Sequence, residues 1–235
     1  GQDTVLGGSG DDRLWWNLAG GNDLLDGQAG YDRADVQGNG QNNLFTVTTD
    51  SSGRLVVLET PHTVTLSTTT ERLDVLAGGG RDTLRAVGLA GASLTEINLK
   101  GEASGDTIDA SAAGIHNTAL ALIGGDGNDR VTGSAGRETL EGGDGHDSLT
   151  GGDGDDVIRG GAGSDQMGGG NGNDSLDGQE DNDRIEGGSG DDQLLGGPGH
   201  DTLLGGAGHD ELIAGTGNDR LNGAAGNDLL SGQSG

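Results

Sequence analysis

Carboxylates recur every nine residues through the second half of this 235-residue chain, each at a fixed offset from glycines. From Gly124 to Ser231 the sequence divides without remainder into twelve nonapeptides, among them GGDGNDRVT, GGDGHDSLT, GGDGDDVIR and GGAGHDELI. Written G-G-x-G-x-D-x-U-x, with U apolar, the unit carries at its sixth place Asp129, Glu138, Asp147, Asp156, Asp165, Asp174, Asp183, Asp192, Asp201, Asp210, Asp219 and Asp228. Its eighth place holds Val131, Leu140, Leu149, Ile158, Met167, Leu176, Ile185, Leu194, Leu203, Leu212, Leu221 and Leu230. Carboxylates beside glycine-rich turns, whose carbonyls are open to approach, offer the oxygen-only ligand set of a hard divalent cation. Ca²⁺, with six to eight oxygen ligands and tolerant geometry, suits such turns. Zn²⁺ would call for Cys or clustered His. There is no Cys, and His146, His200 and His209 sit at fifth places too far apart for any two to share a metal, which makes them ordinary turn residues.

The elements that must hold these carboxylates follow from the same unit. Glycine at the first, second and fourth places permits positive φ and close backbone approach, while x-U-x is a three-residue strand with one side chain inward. Two units make an 18-residue coil of two strands and two turns. Positions nine apart then lie on opposite edges, and positions eighteen apart stack on the same edge. At ~4.8 Å per coil, twelve units predict six coils about 29 Å long. The fold class expected is all-β: a parallel β-roll or β-helix solenoid with a small β-hairpin insertion.

The run from 124 to 235 resembles the hemolysin-type, repeats-in-toxin (RTX) calcium-binding array, whose signature is this nonapeptide. The resemblance implies Ca²⁺ ions between consecutive coils, held by sixth-place carboxylates and backbone carbonyls of the turns. It also implies export, unfolded, from a Gram-negative bacterium by a one-step type I route, with folding outside the cell. The expected localisation is therefore secreted and extracellular, free or at the cell surface.

The pattern continues less regularly upstream. Residues 1–35 read as short repeats, with Asp12, Asp23 and Asp32 at the sixth place after a truncated unit at Asp3, and a two-residue bulge within Trp16–Gly20. Residues 72–123 read as larger β-helix coils in which Asp82 and Asp106, at spacings of 24 and 23 up to Asp129, keep one calcium-type edge in line. Between them, 36–71 breaks the repeat. Leu44–Thr49, Arg54–Glu59 and His62–Ser67 alternate apolar and polar residues between turn signals, so a hairpin plus one strand is expected, packed on the coils or covering a roll end.

Composition narrows the function classes. The formal charge is −27, from 39 acidic and 12 basic side chains, and Lys100 is the only lysine, so no basic patch exists to neutralise phosphates and nucleic acid is not an expected partner. No apolar run is long enough for a membrane span. Few large apolar residues combined with high charge is the composition of a chain that stays disordered unless something outside the side-chain inventory stabilises it. A counter-cation in many copies meets that need, and its binding free energy becomes folding free energy.

Catalytic residues are expected to be none. H-E-x-x-H and G-x-S-x-G are absent, no P-loop lysine follows the glycines, and every carboxylate pair belongs to the repeat. Trp15 and Trp16 should face opposite sides of a strand, and ninth-place Leu195 and Ile213 should form a small outward apolar patch. Both ends cut through a unit, suggesting a segment of a larger parent polypeptide, and self-association of copies is a further expectation. The sequence thus favours a calcium-binding module serving as a structural spacer or surface-assembly element. Its rivals are the carboxyl-terminal secretion and folding module of a secreted protease, lipase or polysaccharide-modifying enzyme, and an ice-binding or adhesin roll. The ice-binding rival is poor, because the third places offer a single threonine, Thr216, where a flat row would be needed.

Overall fold

The computed structural model describes residues 4–17, 22–29, 32–41, 43–49, 55–59, 62–66, 70–89, 94–114 and 119–232; side chains of 22–29, 62–66 and parts of 49–71 lie outside that description. The described residues are strands and turns, and no helix is long and apolar enough to cross a membrane. In chain order the strands are β1 (Thr4–Ser9), β2 (Arg13–Asn17), β3 (Asn22–Ala29), β4 (Asp32–Asn39), β5 (Leu44–Thr49), β6 (Leu55–Glu59), β7 (His62–Leu66), β8 (Thr70–Gly78), β9 (Thr83–Val87), β10 (Glu96–Ala103), β11 (Thr107–Ala112) and β12 (Ala119–Asp126). The roll adds β13 (Arg130–Thr132), β14 (Glu138–Asp144), β15 (Ser148–Asp153), β16 (Val157–Ala162), β17 (Gln166–Asn171), β18 (Ser175–Glu180), β19 (Arg184–Ser189), β20 (Gln193–Pro198), β21 (Thr202–Ala207), β22 (Glu211–Thr216), β23 (Arg220–Ala225) and β24 (Leu229–Ser231).

Apart from β5–β7, successive strands alternate between two sheets, so the chain winds as a solenoid with the expected parallel roll and hairpin insertion. One sheet has 13 strands and the other 11. Registers set the coil lengths. Arg13 pairs with Arg33, 20 residues on; Arg72 pairs with Glu96 and Glu96 with Ala119, giving coils of 24 and 23; from Leu120↔Glu138 onward every coil has 18.

Two features differ from the sequence expectation. The repeat strands from β15 to β23 run six residues, not three: in β15 the ladder passes from Ser148 through Leu149 to Gly152 and Asp153, because the first three places of the following unit also pair with the next coil. The turn shrinks to places four to six. The strands β5, β6 and β7, moreover, do not cover a roll end. They form a meander, β5–β6–β7, laid into the plane of the 13-stranded sheet between β3 and β9, with β6 antiparallel to both its neighbours. Opposite it β4 pairs directly with β8, so the insertion widens one sheet only.

The glycines of a unit answer to different constraints. Gly142 at a first place has ordinary backbone, but an added Cβ would lie less than 3.0 Å from both the Asp147 carboxylate and the Gly160 carbonyl oxygen. Gly143 and Gly145, at second and fourth places, need φ of 116° and 151°. At three second places that are not glycine the backbone still turns the same way, with φ 75° at Gln179, 79° at Glu102 and 69° at Ala224, whereas Ser134 keeps a negative φ.

The interior changes composition along the axis. The coil beginning at Thr70 buries Leu73, Val75, Ala77, Leu84, Ala86, Leu89 and Leu94; the next buries Ile97, Leu99, Ile108, Ala110 and Ala113; the third buries Leu120, Leu122 and Val131. Each of the four 18-residue coils that follow buries two, from Leu140 with Leu149 to Leu194 with Leu203. At ~1.5–3 kcal/mol per large side chain, the apolar contribution per coil falls by roughly 5–9 kcal/mol between the first and the last. The tryptophans divide as expected, Trp16 packing against the core and Trp15 standing 52% exposed, with the Arg13 guanidinium 5.7 Å from its ring centroid. Leu195 and Ile213 are neighbours across β20 and β22, both half-buried.

Backbone strain gives a direct check. Gln179→Gly should raise stability by about 0.5–1 kcal/mol, the left-handed cost of a side chain less the extra freedom glycine has unfolded. Gly170→Ala, at φ 120° with the Gly152 carbonyl where a Cβ would go, should lower it by about 2 kcal/mol or more. Thermal midpoints of both variants in saturating calcium test the pair of signs.

Candidate calcium site

The sixth-place acids gather into two columns because each turn precedes a strand of one sheet. On the first edge, leading into the 13-stranded sheet, stand Asp82, Asp106, Asp129, Asp147, Asp165, Asp183, Asp201 and Asp219. On the second edge stand Asp12 and Asp32, then Glu138, Asp156, Asp174, Asp192, Asp210 and Asp228. Asp23 begins a strand of the larger sheet, and its side chain lies outside the described residues, as do Asp3 and most of the Trp16–Gly20 bulge.

Within a column one carboxylate oxygen is fully engaged. Each backbone N–H donates to the Oδ1 of the acid one coil on: Asp82 to Asp106 (2.7 Å), Asp129 to Asp147 (2.7 Å), Asp147 to Asp165 (2.8 Å), Asp165 to Asp183 (2.9 Å) and Asp183 to Asp201 (2.8 Å). The second edge repeats this from Glu138 N–H to Asp156 (2.8 Å), through Asp174 and Asp192, to Asp210 and Asp228.

The other oxygen faces only acceptors. The Oδ2 atoms of Asp12, Asp82, Asp106, Asp129, Asp147, Asp156, Asp165, Asp174, Asp183, Asp192, Asp201, Asp210 and Asp219 are buried and receive no hydrogen bond. Each of those from Asp129 to Asp201 converges with the next coil's first-place carbonyl on the space beside its own first-place Cα: Asp129 with Gly142, Asp183 with Gly196, Asp201 with Ala214. An ionised carboxylate and a carbonyl can only accept, so two of them facing one space need a proton or a cation between them. Among the described residues no three His, Asp or Glu side chains cluster as a metal site. Ions held here would therefore draw most of their ligands from backbone carbonyls, as Ca²⁺ can.

Burial makes the proton competitive in the absence of metal. It pushes Asp106, Asp156, Asp183 and Asp192 up to about 7 and Asp147 to about 6, against the lowering effect of the accepted backbone hydrogen bond and with further upward push from neighbouring carboxylates. Asp82, Asp129, Asp165, Asp174 and Asp201 are raised for the same first reason.

Glu138 departs from the column. Its oxygens accept from the Ser134 N–H (2.8 Å) and hydroxyl (2.7 Å), so neither is left over. Arg137 beside it reaches away to Asp155 on the next coil at 2.5 Å.

Sequence reading missed a second set of turn bonds. Fifth-place side chains accept from the N–H of the coil that follows: Asn128 from His146 (3.0 Å), His146 Nδ1 from Ser164 (2.8 Å), Asp155 from Asn173 (3.0 Å), His200 Nδ1 from Asn218 (2.9 Å) and His209 Nδ1 from Asn227 (3.0 Å). The signal was present, since Asn, Asp, His or Ser fills all fifth places from 128 to 227 but that of Arg137. Also missed were Asp35 and Asp74, buried on the outer face of the smaller sheet. Asp35 pairs with Arg13 and Arg33, and Asp74 with Arg33 and Arg72.

Two checks follow from the unsatisfied oxygens. A carboxylate whose folded pKa is raised binds more protons folded than unfolded between about pH 4 and 7, so its contribution to stability is full below about 4 and lost as pH rises through about 7. In chelator, acidification from pH 8 to 5 should raise the strand signal of the roll, whereas in calcium it should weaken apparent ion affinity by ~10-fold or more as protons compete. Asp183→Asn keeps the Oδ1 acceptor and turns an N–H₂ donor toward the Gly196 carbonyl. It should raise the strand signal in chelator yet lower the thermal midpoint in calcium by roughly 3–10 °C. The same sign in both media would contradict the acceptor-only geometry.

A family model of the RTX calcium-binding nonapeptide repeat (4 copies) matches residues 1–15, 18–34, 121–149, 132–167, 168–203 and 204–235. A search of curated proteins finds no match. The matched stretches exceed half the chain and fall on the 18- and 20-residue coils, leaving out the meander and most of the two longer coils. With two columns of sixth-place acids each presenting an oxygen to a glycine-turn carbonyl, the chain belongs to the RTX calcium-binding nonapeptide repeat family.

Proposed function

We propose that this chain is a calcium-binding structural module of a secreted bacterial protein, folded by extracellular Ca²⁺ and acting as a rigid spacer or surface-assembly element, with no catalysis of its own. The observation that supports it best is the pair of carboxylate columns whose Oδ2 atoms are buried against carbonyls. The ligands would be Asp82, Asp106, Asp129, Asp147, Asp165, Asp183, Asp201 and Asp219 on the first edge, and Asp156, Asp174, Asp192, Asp210 and Asp228 on the second, with turn carbonyls completing each set. What calcium supplies is the one charge type that both oxygens can accept at once.

Export favours such a design. A chain whose carboxylates repel and whose core is thin stays unfolded where calcium is scarce, and collapses into a rod where it is abundant. An 18-residue coil lengthens the rod by ~4.8 Å, so repeat number sets length while the cross-section stays constant.

Circular dichroism during a calcium titration tests the reading. Residues of the roll should gain strand signal cooperatively between about 10⁻⁴ and 10⁻³ M, the range of extracellular calcium modules, and magnesium at the same concentration should not substitute. An identical strand signal in chelator and in calcium would defeat it.

A further inference from the structure

On the second edge the calcium-type column is interrupted. The strands that enter the smaller sheet at Thr70, Glu96 and Ala119 have no sixth-place carboxylate before them, and the column resumes at Glu138. There the turn is closed from within. Gly133 has the next coil's Gly151 carbonyl beside it as Gly142 has that of Gly160, but the acid oxygen in that space, Glu138 Oε2, stands farther off, 3.1 Å from where a Cβ would be against well under 3.0 Å for Asp147 Oδ2 at Gly142, and it accepts from the Ser134 N–H. Ser134 stands where most units have their second glycine, and both it and Glu138 are buried. A donor N–H and a hydroxyl thus occupy the role that a cation or proton must fill at Asp156 or Asp174.

The coils on the near side of this turn are also held by other means. Their interior is the apolar part of the solenoid, falling from seven buried side chains to three before the two-per-coil roll begins. Across the outer face of the smaller sheet, side chains tie one coil to the next. Arg33 bonds Asp74 (2.9 Å), Arg72 bonds Glu96 (3.0 Å), and Asn98 donates to Asp74 (3.0 Å). No equivalent chain of ion pairs linking coil to coil is found in β14–β22 among the described residues: Arg184–Glu186 (3.7 Å) lies within one strand and Arg137–Asp155 joins two turns, and both pairs are exposed.

We propose that the turn 133–138 binds no calcium, its Ser134–Glu138 pair standing in for the ion, and that the coils from Thr70 to this turn form a template that is folded without calcium and onto which the roll is built coil by coil. The proposal rests on the calcium-dependent roll argued above. It places the first ion of the second edge's unbroken run at Asp156, and it gives the roll a direction of growth, from Glu138 toward Leu212.

Hydrogen exchange read by mass spectrometry on the full chain tests the template. In excess chelator, amides of Glu96–Ala103, Thr107–Ala112 and Ala119–Asp126 should stay protected while those of β15 through β22 exchange at the unfolded rate; calcium should then protect the latter. Native mass spectrometry in calcium tests the turn by ion count. Glu138→Gln should leave the count unchanged, Asp156→Asn should lose at least one ion, and Ser134→Gly with Glu138→Asp should gain one. Loss of protection throughout the chain in chelator, a Glu138→Gln chain one ion short, or a double variant with no gain would overturn the proposal. Protection of β15 through β22 in chelator would instead remove the calcium-dependent roll, and the proposal with it.

Discussion

A carboxylate has two oxygens, and in this fold the backbone can satisfy only one of them. Stacking coils in register brings the N–H of one sixth-place residue onto the Oδ1 of the next, which leaves Oδ2 turned toward a carbonyl, with burial forbidding water. Two acceptors facing each other are stable only across a positive charge or a proton. Much else in the roll serves that arrangement. The first-place glycine keeps its Cβ out of the space the two oxygens share, and the positive-φ glycines bend the chain tightly enough to bring the carbonyls there. The −27 charge is the consequence of repeating the motif many times.

Coil length and mode of stabilisation change together along the solenoid. A coil of 24 residues has room for apolar side chains beyond the eighth-place type, and Leu89 and Leu94 fill it. Shortening to 18 leaves one large apolar residue per strand, the rest of the inward face being glycine that lets the sheets approach. With less to gain from burial, a short coil depends more on what its edges hold. The positions of the acids fit this trade: one edge carries them alongside the long coils, both edges carry them alongside the short ones.

The period, the inward eighth places and the stacking of acids eighteen apart were legible because each unit repeats the same local instruction, and errors in reading one are corrected by the next. What was not legible depended on partners far apart in sequence or on a single departure from the pattern. The meander's place within the sheet plane follows from β5 meeting β9 and β7 meeting β3, pairings that nothing inside 36–71 encodes. Asp35 and Asp74 look like surface charges on alternating strands, and only the register Arg33↔Arg72 across a 39-residue coil shows that guanidinium groups cover them. By its place in the unit Glu138 reads as one more sixth-place carboxylate. The serine four residues earlier, which consumes its oxygens, was visible in the sequence, but its meaning required the turn's geometry.

The turns also carry a polarity that explains why such a departure sits where it does. Most fifth-place side chains accept from the coil that follows, and sixth-place carboxylates accept from the coil that precedes, so most interior turns are bonded in both directions. The first member of a column lacks a sixth-place N–H from the coil before it, and its acid would be left with two unsatisfied oxygens instead of one. On the first edge Asn43, which leads into β5 beside β9, supplies that missing donor to Asp82. On the second edge no sixth-place residue precedes Glu138 in the adjoining coil, and Ser134 supplies two donors from within the turn. The logic is that of a helix capping box, where a side chain satisfies groups that the repeating bond pattern cannot reach. Glutamate is suited to it, since its extra methylene lets the carboxylate fold back onto its own turn while its N–H still enters the ladder at Asp156.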